Sequence, residues 1–317
     1  MNKYPLKLSP YVSETIWGGR KLIDEYNVKT DKSNAAEGWM LSCLEAGPST
    51  VVNGEYAGLT LPEVLQINPG WAGKNSERFD NFPVLVKFID AMDDLSVQVH
   101  PTDEYCRKTG KGHSKTECWY IIDCEPGASL MLGFRDKISR EEFVKSIEDG
   151  ILTEYTKKVP VKKGDFFFIE AGTLHAICKG VLLAEVQESS NTTYRIFDYN
   201  RTGKDGKPRE LHVKDAVEVT KLEPYVNPYP PEKESDNCDL LVSCDLFSVR
   251  HIVCSDSFTF NSDDNSFVSL LIMDGEGTLR CGSHELTLKK GDSIFIPAGA
   301  DETEVTGKLD ILETRTE

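Results

Sequence analysis

The sequence has no run of about 18 or more apolar residues, the length that a membrane-spanning helix requires. Its first residues, MNKYPLKLSPY, also lack the apolar core of a secretion signal. From these absences we expect a cytoplasmic protein that has no membrane partner.

Basic clusters and a cysteine framework are missing as well. The chain of 317 residues carries 36 Lys and Arg against 52 Asp and Glu, which gives a formal net charge of −16. Because clustered cations bind phosphate backbones, we expect no nucleic-acid partner. The nine cysteines form no CxxC pair, which favours a reducing compartment over a disulfide scaffold. The negative charge would repel an anionic ligand at long range, so a phosphate substrate would need a local basic pocket.

Length and composition predict two folded domains. Hydrophobic residues make up 39% of the chain, which is typical of a globular protein with a core. The segment PYVNPYPPEKESDN at 224–237 contains four prolines and little that could pack, as a linker does. We predict a catalytic, metal-binding domain at 1–225, a Pro-rich linker at 226–237 and a second domain at 238–317.

Short apolar runs separated by Gly, Asp, Asn and Ser predict a mainly β fold in both parts. Two helices are also indicated. One follows Thr60 in TLPEVLQI, and the other covers ISREEFVKSIEDGILTEY, where Ser139 and Glu142 form a capping box. We expect these helices to be an insertion in the β core of the first domain.

The chain contains nearly the same phrase twice, KKGDFFFIEAGTLHA at 162–176 and KKGDSIFIPAGADET at 289–303. Each copy predicts a tight turn, an apolar strand and a sharp bend. This pattern is similar to the second motif of cupins, in which a histidine after the bend points into the barrel. We therefore expect two cupin-like (jelly-roll) β-barrel domains, of which the second is degenerate because Glu302 replaces the histidine His175.

A set of metal-ligand residues lies around the first copy. In LSVQVHP, Gln98 and His100 are two residues apart on a strand, so their side chains leave the same face, as the paired ligands of the first cupin motif do. Glu117 follows in KTECWYII, and His175 completes the set. Two imidazoles and a carboxylate are what a catalytic zinc uses when it keeps a position open. We predict one Zn²⁺ per chain, with Gln98 as a fourth ligand or an outer neighbour.

The ligand types do not select one reaction. Non-haem iron oxygenases also use two histidines and a carboxylate, so an iron-dependent cupin oxygenase is one alternative. A non-catalytic sugar-binding cupin is a second alternative, in which the same residues serve affinity alone.

Longer motifs resemble a specific family, the type I mannose-6-phosphate isomerases in their short bacterial form. The motifs are WGG at 17–19, EGW at 37–39, PVLVKFIDAMDDLSVQVHP at 83–101, KTECWYI at 115–121, GTLHAI at 172–177 and YRIFDYNR at 194–201. The resemblance spans most of the chain and is strongest between residues 83 and 201.

The resemblance implies a zinc-dependent aldose–ketose isomerase that interconverts mannose 6-phosphate and fructose 6-phosphate by proton transfer through an enediol. It implies a small sugar phosphate as the partner of a monomer or homodimer. The family's site residues carry over by position to His100, Glu117, His175 and Gln98 as metal ligands, to Arg195 and Lys115 as catalytic residues, and to Trp17, Glu37, Lys87 and Ser96 as substrate-binding residues. We also predict Glu185 as a substrate-binding residue, because alternate residues of its strand can point inward.

The chemistry of the implied reaction leaves the general base open. The base must reach the C1 and C2 protons, so Glu185 in LLAEVQE, Lys115 beside the metal and a zinc-bound hydroxide are all compatible with it. A fixed guanidinium such as Arg195 can stabilise the developing oxyanion. Arg201 is a further candidate for contact with the phosphate.

Overall fold

The computed structural model describes residues 3–203 and 206–317, which fold mainly into antiparallel strands, as the sequence predicts. The strands are β1 Leu6–Ser9, β2 Tyr11–Ser13, β3 Glu37–Leu41, β4 Thr50–Val51, β5 Val84–Ala91, β6 Val97–Val99, β7 Glu117–Cys124, β8 Ser129–Phe134, β9 Thr156–Pro160, β10 Phe166–Ile169, β11 His175–Ile177, β12 Val181–Glu188, β13 Tyr194–Phe197, β14 Glu232–Ser235, β15 Cys238–Ser243, β16 Phe247–Cys254, β17 Ser257–Phe260, β18 Val268–Cys281, β19 His284–Lys289, β20 Ser293–Ile296 and β21 Thr303–Thr316.

The helices are short and fewer than the strands. The α-helices are α1 Lys21–Asp24, α2 Leu61–Ile67, α3 Asp103–Thr109, α4 Arg140–Glu148, α5 Leu152–Tyr155 and α6 Val213–Val219, and Gly54–Tyr56 and Lys74–Arg78 are 3₁₀ turns. Both predicted helices are present as α2 and as the pair α4 and α5. None of the described helices has the length and apolar character needed to cross a bilayer.

The described chain divides into two compact units. The first contains residues 3–13, 20–88 and 229–317, and the second contains residues 14–19 and the described residues of 89–228. One division falls between Pro228 and Tyr229, inside the predicted linker, and another falls within β5. Residues 20–88 group with the C-terminal strands in this division, whereas the sequence prediction placed them in the first domain. The predicted domain limits stay a prediction.

The first unit is built around a long antiparallel sheet with the strand order β14-β15-β16-β21-β18-β20-β1-β4, to which β17 and β19 add. Its apolar core includes Ile252, Leu270, Ile294 and Ile311. The strand β18 runs without interruption from Val268 to Cys281. Its register against β21 shifts between Ile272 and Asp274, and Gly275 follows at a φ of 87°, where a Cβ would lie 2.0 Å from a backbone oxygen.

The second unit contains two sets of hydrogen-bonded strands, β10-β7-β12 and β13-β6-β11-β8-β9. A core that includes Val97, Phe134, Phe143 and Ile196 packs on the second set, and α4 and α6 contribute to it. These strands carry the predicted metal ligands Gln98, Glu117 and His175, and the fourth, His100, directly follows β6.

The repeated phrase forms the same turn in both units. Asp165 accepts a hydrogen bond from the backbone N–H of Lys162 at 2.9 Å, and Asp292 accepts one from Lys289 at 2.9 Å. The glycine before each aspartate has a φ near 90°, which a residue with a side chain rarely adopts. The two copies differ after the bend, where His175 is buried and Glu302 is exposed.

The predicted capping box at the start of α4 is confirmed. The backbone N–H of Glu142 donates to the Ser139 hydroxyl at 3.1 Å, and the Ser139 N–H donates to the Glu142 carboxylate at 2.7 Å. We expect Ser139→Ala to lower the free energy of unfolding by about 1 kcal/mol, because it leaves a helix N–H without its acceptor. Urea denaturation would measure the loss. Ser283→Ala, at an exposed turn position, is the control and should change the value by less than about 0.5 kcal/mol; equal losses in the two variants would contradict the capping role.

Candidate metal centre and active site

The three strongest ligand candidates converge in the second unit. His100 directly follows β6, His175 opens β11, and Glu117 opens β7, so the imidazoles come from one set of strands and the carboxylate from the other. Their ligand atoms all lie within 4.8 Å of one another, and all three side chains are buried. The turn before β11 and the end of β6 therefore build one site from residues far apart in sequence.

Backbone carbonyls orient both imidazoles. Nδ1 of His100 lies 3.0 Å from the Thr192 carbonyl oxygen, and Nδ1 of His175 lies 2.8 Å from that of Thr173. A carbonyl can only accept a hydrogen bond, so each Nδ1 carries the proton and each Nε2 presents a lone pair. Metal-ligating histidines are commonly held in this way through their second nitrogen.

The carboxylate of Glu117 faces these lone pairs. Its Oε2 lies 3.3 Å from Nε2 of His100, and its Oε1 lies 3.5 Å from Nε2 of His175. Both oxygens are fully buried; Oε2 is paired with the Lys115 ammonium at 2.6 Å, whereas Oε1 has no hydrogen-bond donor in the described part of the chain. A buried carboxylate without a hydrogen bond is costly unless a cation meets it. This donor set fits a divalent metal ion, because nitrogen and oxygen lone pairs converge on one point.

Lys115 adds a buried cation next to the carboxylate. Its Nζ lies 2.6 Å from Oε2 of Glu117 and 3.2 Å from Nε2 of His100. The same Nζ lies 3.8 Å from Oε1 of Glu185. Lys115 is thus close to two of the four predicted metal ligands and to Glu185, another candidate base.

The surroundings shift the protonation of the ligands towards metal-binding forms. Burial, with a further contribution from the Lys115 charge, lowers the pKa of His100 to about 3. Burial also lowers the pKa of His175. Burial alone would raise the pKa of Glu117, but the charge of Lys115 is the largest of the effects that outweigh burial and hold this pKa well below its usual value. Neutral imidazoles and an ionised carboxylate are the forms that bind a metal.

Two neighbours of this cluster were not predicted from the sequence. Trp119 donates from Nε1 to Oε2 of Glu185 at 2.9 Å, and its ring stands edge-on to His175. Gln187 lies directly opposite Glu117 in the β7–β12 register and is fully buried. The signal that could have identified them is alternation, because Trp119 is two residues after Glu117 and Gln187 is two after Glu185.

The register of three strands places further predicted residues in one row. His175 pairs with Gln98, and Gln98 pairs with Arg195, so the three side chains share one face. The amide nitrogen of Gln98 lies 3.2 Å from Nε2 of His175, and its oxygen lies 3.4 Å from the Ser96 hydroxyl. In this orientation, Gln98 would have to rotate its amide to offer an oxygen to a metal.

Two protein acceptors hold the guanidinium of Arg195. Its Nε donates to the Ser96 hydroxyl at 3.3 Å, and its Nη1 donates to the Glu210 carbonyl at 2.8 Å. Burial, and then the charge of Arg209, lowers the pKa of Arg195, although a guanidinium stays protonated at any working pH.

The remaining predicted substrate-binding residues lie in different places. Trp17 is buried in the second unit, where its carbonyl accepts hydrogen bonds from the backbone N–H groups of Met92 and Asp93. Glu37 and Lys87 belong to the first unit. There the Lys87 ammonium lies 3.5 Å from Oε2 of Glu37 and 5.5 Å from the centre of the Trp39 ring.

Comparisons of the sequence with known proteins all match phosphomannose isomerases. A family model for the phosphomannose isomerase type I catalytic domain matches residues 6–129, and a model for the mannose-6-phosphate isomerase cupin domain matches residues 237–315. The mannose-6-phosphate isomerase ManA of Bacillus subtilis (strain 168) is 37% identical over 316 residues, which covers 97% of each chain. A mannose-6-phosphate isomerase of Streptococcus mutans is 33% identical and covers 98% of each chain.

Solved structures give the same result for the fold. The crystal structure of the mannose 6-phosphate isomerase from Bacillus subtilis matches with a TM-score of 0.89 at 33% identity, over 98% of this chain and 99% of that one. The apo form of the enzyme from Salmonella typhimurium matches with a TM-score of 0.79 at 18% identity, over 99% of each chain, which bears on the fold alone. The prediction of a mainly β, cupin-type fold is confirmed.

Proposed function

The chain belongs to the type I phosphomannose isomerases, and from this premise we propose that it interconverts mannose 6-phosphate and fructose 6-phosphate with the help of one zinc ion. We propose His100, Glu117 and His175 as the residues that hold this ion, with Gln98 beside them. The proton would move between C1 and C2 of the sugar through an enediol.

The observation that carries the proposal is the buried carboxylate of Glu117. Its two oxygens face the unprotonated Nε2 atoms of His100 and His175 within 3.5 Å, and among the described residues only Oε2 is paired with a cation, the Lys115 ammonium at 2.6 Å. When bound here, zinc would polarise the oxygens of the substrate as a Lewis acid. The ligand set leaves room for such an oxygen, because three protein ligands are typical of a catalytic zinc with an open position.

Lys115 and Glu185 are the proposed proton-transfer pair. Their charged atoms lie 3.8 Å apart, and both side chains are buried. A carboxylate oxygen of Glu185 can take the proton from the sugar directly, whereas Nζ of Lys115 can take it only after it has given one of its own protons to Glu185. Trp119 fixes the second oxygen of Glu185, which keeps Oε1 on the side of Lys115.

Arg195 is the proposed partner of the oxyanion. Two of its five N–H groups are bonded to Ser96 and Glu210, so the plane of the guanidinium is fixed before the substrate arrives. A preorganised donor of this kind stabilises charge that develops in the transition state. Trp17, Glu37, Lys87 and Ser96 stay proposed substrate-binding residues on the family resemblance.

Proton–deuterium exchange followed by NMR tests the proposed function. We expect the zinc-loaded protein to convert mannose 6-phosphate to fructose 6-phosphate in D₂O and to exchange substrate-bound hydrogen with solvent. A chelator should stop both, and added zinc should restore them. His175→Ala should remain inactive with zinc present, because an imidazole ligand is gone.

The exchange experiment, together with assays of sugar binding and oxygen uptake, distinguishes the proposal from the two alternatives. A metal-loaded, folded protein that neither converts nor exchanges the sugar, but still binds it, would be a binding cupin. Oxygen uptake that depends on iron would indicate an oxygenase. Either result would overturn the isomerase proposal.

A further inference from the structure

We propose that Asp198 is a positioning residue that holds Arg195 in its working orientation through two other arginines, Arg201 and Arg209. The inference rests on the catalytic role proposed for Arg195. Its basis is the position of the two acceptors that orient Arg195. One acceptor, the Glu210 carbonyl, belongs to the residue next to Arg209. The other, the Ser96 hydroxyl, is two residues from Asp94, whose carbonyl accepts from Arg201.

Asp198 is buried and binds two guanidinium groups at once. Its Oδ2 accepts from Nε of Arg209 at 2.7 Å, and its Oδ1 accepts from Nη2 of Arg201 at 2.7 Å and from Nη2 of Arg209. Burial would raise the pKa of Asp198, but the two arginines outweigh it and lower this pKa. A buried carboxylate with such bonds has one well-defined geometry.

The first connection runs through Arg209 to the carbonyl beside it. Arg209 is adjacent to Glu210, whose carbonyl oxygen accepts from Nη1 of Arg195 at 2.8 Å. The same segment is bonded to Arg195 a second time, since the N–H of His212 donates to the Arg195 carbonyl at 2.7 Å. Releasing Arg209 from Asp198 would therefore loosen the segment that fixes one edge of the Arg195 guanidinium.

The second connection runs through Arg201 to the turn before β6. Nη1 of Arg201 donates to the Asp94 carbonyl at 2.6 Å. Two residues later, the Ser96 hydroxyl accepts from Nε of Arg195 at 3.3 Å. Arg201, which the sequence suggested as a phosphate contact, is thus bonded within the protein on both sides, to Asp198 and to Asp94.

The backbone between Asp198 and Arg201 is shaped for this arrangement. Tyr199 and Asn200 both have a φ of 54°, in the left-handed region that residues with side chains seldom adopt. The turn brings the Arg201 N–H to the Asp198 carbonyl at 3.0 Å, and the guanidinium lies 5.0 Å from the centre of the Tyr199 ring. Strain of this kind persists where surrounding bonds over-determine the conformation, and it clusters at functional sites.

A double-mutant cycle tests whether Asp198 acts through Arg195. We expect Asp198→Asn to lower kcat by up to about 100-fold, because a small misplacement of a catalytic group has effects of that size. We expect KM and zinc content to change little. In the background of Arg195→Ala, the same substitution should have almost no further effect on kcat, since the group that it positions is already gone.

Two single variants keep the inference testable even if the Asp198 variant does not fold. Arg209→Gln releases only the Glu210 side, and Arg201→Gln releases only the Ser96 side, so each should lower kcat less than Asp198→Asn does. Asp165→Asn is the control, because the Asp165 carboxylate is also paired with a cation, that of Lys162, but holds a turn of the repeat. It should leave kcat within about twofold, as surface changes remote from a site usually do.

An NMR measurement separates failure of this inference from failure of the proposed function. In the wild-type protein, the Arg195 Nε–H signal should be protected from solvent exchange by the bond to Ser96, and in Asp198→Asn the protection should fall. If Arg195→Ala leaves turnover intact, the catalytic role of Arg195 is wrong, whatever the NMR shows. If Arg195 matters but the Asp198 and Arg195 effects on kcat simply multiply, or the Nε–H protection is unchanged, the positioning role is overturned.

Discussion

Turnover falls by more than about 1,000-fold in Glu117→Gln, and zinc affinity falls with it. Changes to groups that merely support metal ligands cost about 10–100-fold in affinity or activity, so loss of a charged ligand should cost more. An amide also cannot balance the charge of a divalent ion, whereas the buried carboxylate of Glu117 faces two imidazole lone pairs within 3.5 Å. The measurements are kcat with saturating zinc and the zinc dissociation constant from competition with a chelator.

Glu185→Gln is the matched comparison, because Glu185 is also a buried carboxylate near Lys115 but is not part of the ligand cluster. It should lower turnover while zinc affinity stays nearly unchanged. If Glu117→Gln bound zinc as tightly as the wild-type protein, the proposed ligand set would be wrong. If Glu185→Gln lost zinc instead, the metal would lie on the other side of Lys115.

The convergence of the site could be predicted from the sequence because its residues follow strand periodicity. Gln98 and His100 are two residues apart, and Glu117 begins a strand whose apolar run is plain, so each side chain could be assigned to a face before any coordinates. The bend after the repeated GD phrase indicated where the side chain of His175 would project from the backbone. Strand alternation and turn residues are local properties, which can be identified in a single sequence.

The hydrogen bonds that orient the site residues could not be predicted, because they depend on backbone groups and on long-range packing. The carbonyls of Thr173 and Thr192 orient the imidazoles, and a carbonyl has no signature in the sequence. The Glu210 carbonyl that holds Arg195 comes from a segment with little apolar pattern. Helix α3 was missed although its cap was visible, since Thr102 precedes two acidic residues and accepts from the N–H of Tyr105 at 3.3 Å.

Arg195→Ala should lower kcat by about 100–1,000-fold, the usual effect of removing one preorganised donor from an oxyanion site. The loss should appear mainly in kcat, because the proposed interaction strengthens only as charge develops on the sugar oxygens. Zinc content should stay at the wild-type value, since Arg195 contacts Ser96 and Glu210 and is not among the metal-ligand candidates. Steady-state kinetics and metal analysis of the same sample provide both readings.

Arg195→Lys separates charge from geometry at the same position. Lysine keeps the positive charge but lacks the planar fork that bonds to Ser96 and Glu210 at once, so it should recover only part of the lost kcat. Full recovery would mean that Arg195 supplies charge alone, and the network around it would have no catalytic purpose. Loss of zinc in either variant would mean that Arg195 supports the metal rather than the oxyanion. Partial recovery with unchanged zinc content would support both the catalytic role of Arg195 and the positioning role of Asp198. In that case both the charge of Arg195 and the direction in which it is held contribute to turnover.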